Sequence, residues 1–327
     1  MAVPAGTYQA FSAVGIREDF TDRIYDISPT ETPFLTMCKR VDASNPSNHE
    51  WQRDALTAAN TANAQIEGDD ASNGTSTPTT RLKNPLQISS KYAIVSGSNN
   101  AANHAGANKQ MAYQLMKRTQ ELKRDMEAIL TANHGSSAGG TGTARQLAAA
   151  EAWLSVNRTS LGTGTAQSTP GYVTSTGLVT APTDSTVAGT FVVSALKAVI
   201  RACWTNGGSP SVIMTGPFNK TQVSGFTGIA TLYREASATA NGTRIIGAAD
   251  VYVSDFGEHR IVPNRFMRDQ TCLVLDMDYW AVAYLRKFEQ IEIARTGDSL
   301  KRMVLSEYTL ECRTELASGK VTDLTTS

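Results

Sequence analysis

The sequence predicts an α+β protein whose segments become self-sufficient only when copies assemble. Three observations predict it. Residues 111–130, MAYQLMKRTQELKRDMEAIL, form the longest unbroken helical pattern in the chain. From residue 271 onward, short apolar runs alternate with polar residues at the period of strands. Two long stretches, 57–85 and 157–190, carry almost nothing that could build a core.

The long helix comes first because the rest is hung on it. Met111, Leu115, Leu122, Met126, Ile129 and Leu130 share one stripe at helical spacing. The opposite face carries Lys117, Arg118, Glu121, Lys123, Arg124 and Glu127. Lys117–Glu121 and Lys123–Glu127 stand four apart, so opposite charges are expected to neighbour each other on the solvent side.

The chain has 327 residues, 41 % of them hydrophobic, which suffices for one large or two ordinary domains. Thirty basic residues balance thirty acidic ones, so the net charge is zero. That argues against tight, charge-driven nucleic-acid binding. Cys38, Cys203, Cys272 and Cys312 are far apart and form no CxxC. An even number permits two disulfides, but a chain this large without a secretion signal favours reduced packing thiols. The N-terminus has neither a basic start nor an apolar segment. No apolar run approaches the roughly 20 residues that span a bilayer. These features predict a protein made in the cytosol.

In chain order, residues 1–15 read as an extended arm. Residues 17–27 read as a short amphipathic helix lined by Ile16, Phe20, Ile24 and Ile27, ended by Ser28-Pro29. Thr32-Pro33 starts a second apolar turn with Phe34, Leu35 and Met37. This region either packs on its own core or reaches a neighbouring subunit. HEWQRDAL, 49–56, is a strand candidate, and Leu86, Ile88, Tyr92 and Ile94 mark a stronger one at period two. The stretch between them is either a surface loop or the tip of a projecting hairpin. A projecting hairpin has bare edges, which a second copy would cover.

Residues 134–144, HGSSAGGTGTA, break the helical pattern, and 145–156 resume it with Leu147, Trp153, Leu154 and Val156. Residues 157–190 are a domain boundary or an inserted loop. Residues 191–204 form a second helix, stopped by Asn206-Gly207-Gly208. A buried strand, 211–215, and a helix opened by Gly216-Pro217 complete an α/β unit. Strands are expected over 245–253, 260–262, 271–275 and 280–285, another around Ile291 and Ile293, and a long one over 302–313 beside the long helix.

Chemistry is sparse. Gly135-Ser136-Ser137-Ala138-Gly139 matches GxSxG, but it follows a helix in a glycine-rich loop rather than a buried strand. A serine hydrolase using Ser137 is therefore the distant alternative. No phosphate-cradling motif is present. The four histidines are scattered, and Asp276-Met277-Asp278 reads as a turn rather than a cation site. No catalytic constellation, cofactor or metal site is expected.

Two stretches carry a family resemblance. GIREDFTDRIYDISPTETPFLTM, 15–37, resembles the N-terminal signature of a family of tailed-phage major capsid proteins. RTGDSLKRMVLSEYTLECR, 295–313, is similar to that family's C-terminal signature. The resemblance implies the Hong Kong 97-type capsid fold, divided into an N-terminal arm (1–41), an extended loop hairpin (42–95), a spine helix with the first part of a peripheral domain (96–190), an axial domain (191–265) and the remaining peripheral strands (266–327). It implies a structural protein of the virion, made in the host cytoplasm and assembling with itself as hexamers and pentamers. The assembled icosahedral head encloses double-stranded DNA without reading its sequence. No scaffolding segment precedes the arm signature, so a separate scaffolding protein is expected, with a portal and a cement protein as further candidate partners. Another self-assembling lattice or head-decoration protein is the nearer alternative. Inter-subunit contacts are expected at Phe20, Ile24 and Phe34 in the arm, and at Trp51, Ile88 and Tyr92 in the hairpin.

Overall fold

The computed structural model describes residues 7, 28–68, 74, 76–102, 104, 109–164, 168–226 and 250–326. The expected helix over 17–27, with Phe20 and Ile24, lies outside the described residues, as does 245–249 of the expected strand. The first half of the chain runs α1 (Pro33–Met37), β1 (Lys39–Asp42), β2 (Asn48–Arg53), β3 (Thr80–Pro85), β4 (Gln87–Ser96), α2 (Gly97–Ala101) and α3 (Gln110–Thr131). Then come α4 (Ala150–Trp153), β5 (Arg158–Ser160), β6 (Gly171–Val173), β7 (Leu178–Thr180), α5 (Val193–Thr205), β8 (Val212–Thr215) and α6 (Pro217–Ser224). The chain closes with β9 (Val251–Ser254), β10 (Gly257–Pro263), β11 (Cys272–Leu275), β12 (Trp280–Ile293), β13 (Ser299–Cys312) and β14 (Gly319–Thr322).

The long helix is α3. It runs 22 residues without glycine or proline, and its buried stripe is the expected Met111, Leu115, Leu122, Met126 and Leu130. The stripe packs across one face of a four-stranded sheet ordered β1-β12-β13-β4. β13 lies beside the helix as expected, with Val304 against Leu115 and Leu122. From Val304 to Cys312 every residue of β13 is buried, on both faces. The expected separate strand at Ile291 and Ile293 is corrected. β12 is one strand of 14 residues that pairs with β13 from Trp280↔Cys312 to Ile293↔Lys301. Register shifts between Tyr284 and Glu289 bend it without ending it.

A second sheet of six strands, ordered β5-β14-β11-β8-β10-β9, forms the other half of the interior. Its central strands are buried on both faces. Ile213, Cys272, Val274 and Val321 face Leu196, Val199 and Ile200 of α5. Met214, Leu273 and Leu275 face the opposite way, into the cluster around Trp280, Trp153 and Phe34. Proline at the first position of α6 opens that helix as expected. All four cysteines are buried free thiols.

Two further expectations fail. The helix over 145–156 shrinks to α4, because its middle, 147–154, is enclosed from every side and the backbone there finds other partners. Ala148 N–H donates to Asn84 Oδ1 (2.9 Å) and Leu147 N–H to Gln87 Oε1 (3.3 Å). The hairpin partner of β2 is β3, within the stretch that looked coreless, and not the strand from Leu86.

Candidate assembly surfaces

The hairpin is clamped at its base and open at its tip. β2 and β3 pair from Asn48↔Pro85 to Arg53↔Thr80. His49, Trp51, Leu82 and Asn84 share one face, as cross-strand partners must. That face lies on the chain's own body. Trp51 Nε1 donates to Cys312 O (2.9 Å), and its ring sits 5.4 Å from that of Trp153. Asn84 is fully buried and donates to Leu310 O (2.7 Å). His49 Nε2 lies 2.8 Å from Glu311 Oε2. Burial pushes the Glu311 carboxyl up, but its hydrogen bonds to His49 and Arg313 outweigh that and hold it below the usual carboxylate range.

Past Arg53 the hairpin leaves the body. Every described residue from 54 to 79 is exposed, including Leu56 (99 %) and Ile66 (78 %). An apolar side chain that bare is unusual only when several lie on one element, as here.

The outer face of the four-stranded sheet is the second surface. The apolar alternation of β4 points outward, so Ile88, Tyr92 (55 %) and Ile94 are exposed. Ala93 and Val95, the smaller set, face α3 and pack with Met111. The register places Tyr92 opposite Met303, and Met303 opposite Ile291 on β12. An apolar row thus crosses three strands with no element of the same chain over it among the described residues.

Of the arm, only the segment from residue 28 is described beyond Thr7. Phe34 is corrected as an inter-subunit contact. It is fully buried in its own chain, edge-on to Trp280 at 6.0 Å between ring centroids. Trp51 also touches its own subunit, through Trp153 and Cys312, but it is only half-buried. The expected Lys123–Glu127 surface pair is also corrected. Glu127 is buried and accepts from Phe34 N (2.8 Å), Leu35 N (2.8 Å) and Asn264 Nδ2 (2.6 Å). Lys123 instead sits over the Phe288 ring, and Glu121 pairs with Arg118.

Sequence reading missed a third exposed cluster. Trp204, at the end of α5, lies 5.2 Å from Phe256 in the β9–β10 turn, with Val253 exposed nearby in sequence. The signal was available: Trp204 falls off the buried stripe of its helix. Ser137 sits in a loop where its hydroxyl accepts Gly139 N–H (3.3 Å) and its backbone pairs with Gln146. His259 is buried against Pro210 O and Ser254 Oγ, both at 2.7 Å, and burial holds its pKa down. Among the described residues no group of side chains could hold a metal ion, and no helix is long and apolar enough to cross a membrane.

Residues 3–325 match the model of the SU10 major capsid protein family. The chain belongs to that family. It is a capsid protein, a structural component of the virion and not an enzyme. A major capsid protein of Escherichia phage Phieco32 is 34 % identical over 123 residues, 38 % of this chain. The match spans about a third of that relative's length, 35 %. Among solved structures, a chain of Microbacterium phage Oxtober96 is 11 % identical over 94 % of this chain and 96 % of its own, with a TM-score of 0.60. The capsid asymmetric unit of Cyanophage A-1(L) is 13 % identical over 97 % and 99 %, with a TM-score of 0.59. These likenesses show the Hong Kong 97-type fold.

Proposed function

We propose that this capsid protein builds the icosahedral head shell of a tailed phage, as hexamers and pentamers, around double-stranded DNA. The observation that carries the reading is the hairpin. Its base is held by Trp51, Asn84 and His49, while every described residue from 54 to 79 is exposed, Thr79 still reaching back to Gln52 at 3.3 Å. Folding the protomer leaves that segment without the burial that would offset its ordering entropy. A second copy supplies it. Each contact can be weak, because many held at once give a stable shell by effective concentration.

In this reading 1–41 is the arm, 42–95 the extended loop, 96–190 the spine helix with the first peripheral part, 191–265 the axial domain and 266–327 the remaining peripheral strands. Phe20 and Ile24 reach an adjacent subunit, and Ile88 and Tyr92 lie beneath one. A separate scaffolding protein and a portal guide assembly in the host cytoplasm, and a cement protein is a further partner. Zero net charge suits the task, since packed DNA is balanced largely by counterions and need not be gripped. Electron microscopy of the expressed and purified protein tests this. Closed icosahedral shells or hexameric capsomers support it; sheets, tubes or monomers overturn it.

A further inference from the structure

Glu151, in the first turn of α4, is fully buried in its own chain. No described group closes a hydrogen bond on either of its carboxylate oxygens. Arg268 Nε stops 3.6 Å from Oε2, just outside hydrogen-bond range. The same guanidinium is engaged elsewhere. Its Nη2 donates to Asp184 Oδ1 (2.8 Å) and Gln270 Oε1 (2.9 Å). One arginine thus stands between two carboxylates, bonded to the partly exposed outer one and short of the buried inner one.

A buried carboxylate with no hydrogen bond is costly when ionised, and burial raises the Glu151 pKa accordingly. Arg268 from the β10–β11 loop, Lys320 from β14 and the nearby Thr271 hydroxyl pull the other way, while Asp184 adds to the rise. Lys320 directs its Nζ to the Glu151 main-chain O (2.8 Å). Among the described residues, α3, β6, β7 and β13 also pack on α4 but bring no charged group that acts on Glu151. Just past α3, burial lowers the His134 pKa.

The outer contact fastens the segment 157–190 to the end of α3. There Asn133 Nδ2 donates to Pro182 O (2.9 Å) and reaches Asp184 Oδ1 (3.4 Å). Upstream in the same segment, Tyr172 of β6 stacks on Trp153, which in turn lies against Trp51 at the base of the long hairpin.

We propose that Arg268 is an exchangeable latch, held by Asp184 while Glu151 carries its proton and drawn to Glu151 when that proton leaves to solvent, so that residues 182–184 loosen from the end of α3 as pH rises. A shift of under about 1 Å brings Arg268 Nε into charge-assisted hydrogen-bond range of Glu151. Partly exposed Asp184 loses little by returning to water, whereas an ionised buried Glu151 needs the partner. The latch rests on the fold of the protomer and not on the shell reading.

Amide hydrogen exchange of the full chain, divided by the intrinsic rate at each pH, tests it over residues 168–184. Between pH 5 and 9 the parent is expected to lose protection there by about tenfold or more, while α5 keeps its own. Glu151→Gln, which mimics the protonated acid, stays protected throughout. Asp184→Asn, a change at the outer partner, is open already at pH 5, and this variant decides the matter if the Gln protein does not fold. Unchanged protection in the parent across that range overturns the latch, as does equal loosening of α5. A Gln variant that loosens like the parent also overturns it and assigns the response to His134 or Lys320. So does an Asn variant as well protected at pH 5 as the parent.

Discussion

The carboxylate of Glu127, near the end of the spine helix, accepts the backbone N–H of Phe34 at 2.8 Å across 93 residues of sequence. Leu35 N–H donates to the other oxygen, also at 2.8 Å. The five-residue helix α1 has no side-chain cap of its own at Thr32. A residue of α3 therefore takes the place of the missing cap and satisfies donors that every helix N-terminus leaves open. The arm is thus fastened to the spine at the point where Phe34 enters the core.

Glu127→Ala is expected to leave two buried N–H groups without an acceptor and the Asn264 amide with only the weak Met214 sulfur. Each costs about 1–3 kcal/mol, so protomer stability falls by several kcal/mol. Glu127→Gln keeps one acceptor and loses less. Burial raises the Glu127 carboxyl, with the three hydrogen bonds opposing. The folded pKa thus lies above the unfolded value, and parent stability rises as pH falls through the folded pKa toward about 4.5. Denaturant melts at pH 4.5 to 7 check both, since the Gln variant loses that pH response.

Acid opens the hairpin base. The Glu311 carboxyl is held below its ordinary value by His49 and Arg313 against the upward push of burial. Its contribution is present above about 4.5 and is lost as pH falls through the lower folded value. Trp51 fluorescence should report the release, and Glu311→Gln should flatten that acid limb.

Lys320 responds at the other end of the scale. It is fully buried and donates to Glu151 O (2.8 Å), and burial lowers its pKa to about 8 against the opposing pull of Glu151. Between about 8 and the unfolded 10.5 the unfolded chain holds a proton that the folded chain lacks. Its contribution to stability therefore rises with pH across that window and is flat below it. The difference in melting temperature between the parent and Lys320→Met, followed from pH 7 to 10, should move in the parent's favour.

The apolar row on the outer sheet face should matter to assembly and not to folding. Tyr92→Asp with Met303→Asp is expected to change protomer stability by under about 1 kcal/mol, as surface changes usually do. Particle yield should fall by tenfold or more. Equal losses in melting and in yield would mean that the row serves the protomer instead.

How much was legible depended on whether burial was one-sided. The spine helix could be read because Met111, Leu115, Leu122 and Met126 face a sheet while Lys117 faces solvent. β13 could be read from its alternation even though both its faces are covered. Residues 147–154 could not, since enclosure on all sides erases periodicity and leaves Asn84 to satisfy the backbone. β3 stayed hidden because one of its inward residues is that same Asn84, a polar side chain no hydrophobicity pattern marks. Glu127 was misplaced on the solvent side because helical spacing cannot show that a segment 93 residues away covers its turn. The outward direction of Ile88, Tyr92 and Ile94 is the converse: apolar alternation fixes a strand but not which face the protomer keeps.

The central claim is that residues 54–79 acquire their surroundings from another copy. Amide hydrogen exchange over this segment, measured in dissociated protomers and in assembled particles, tests it most directly. Rapid exchange in protomers with at least about tenfold slowing in particles is the expected result. The same rate in both states, whether fast or slow, would contradict it.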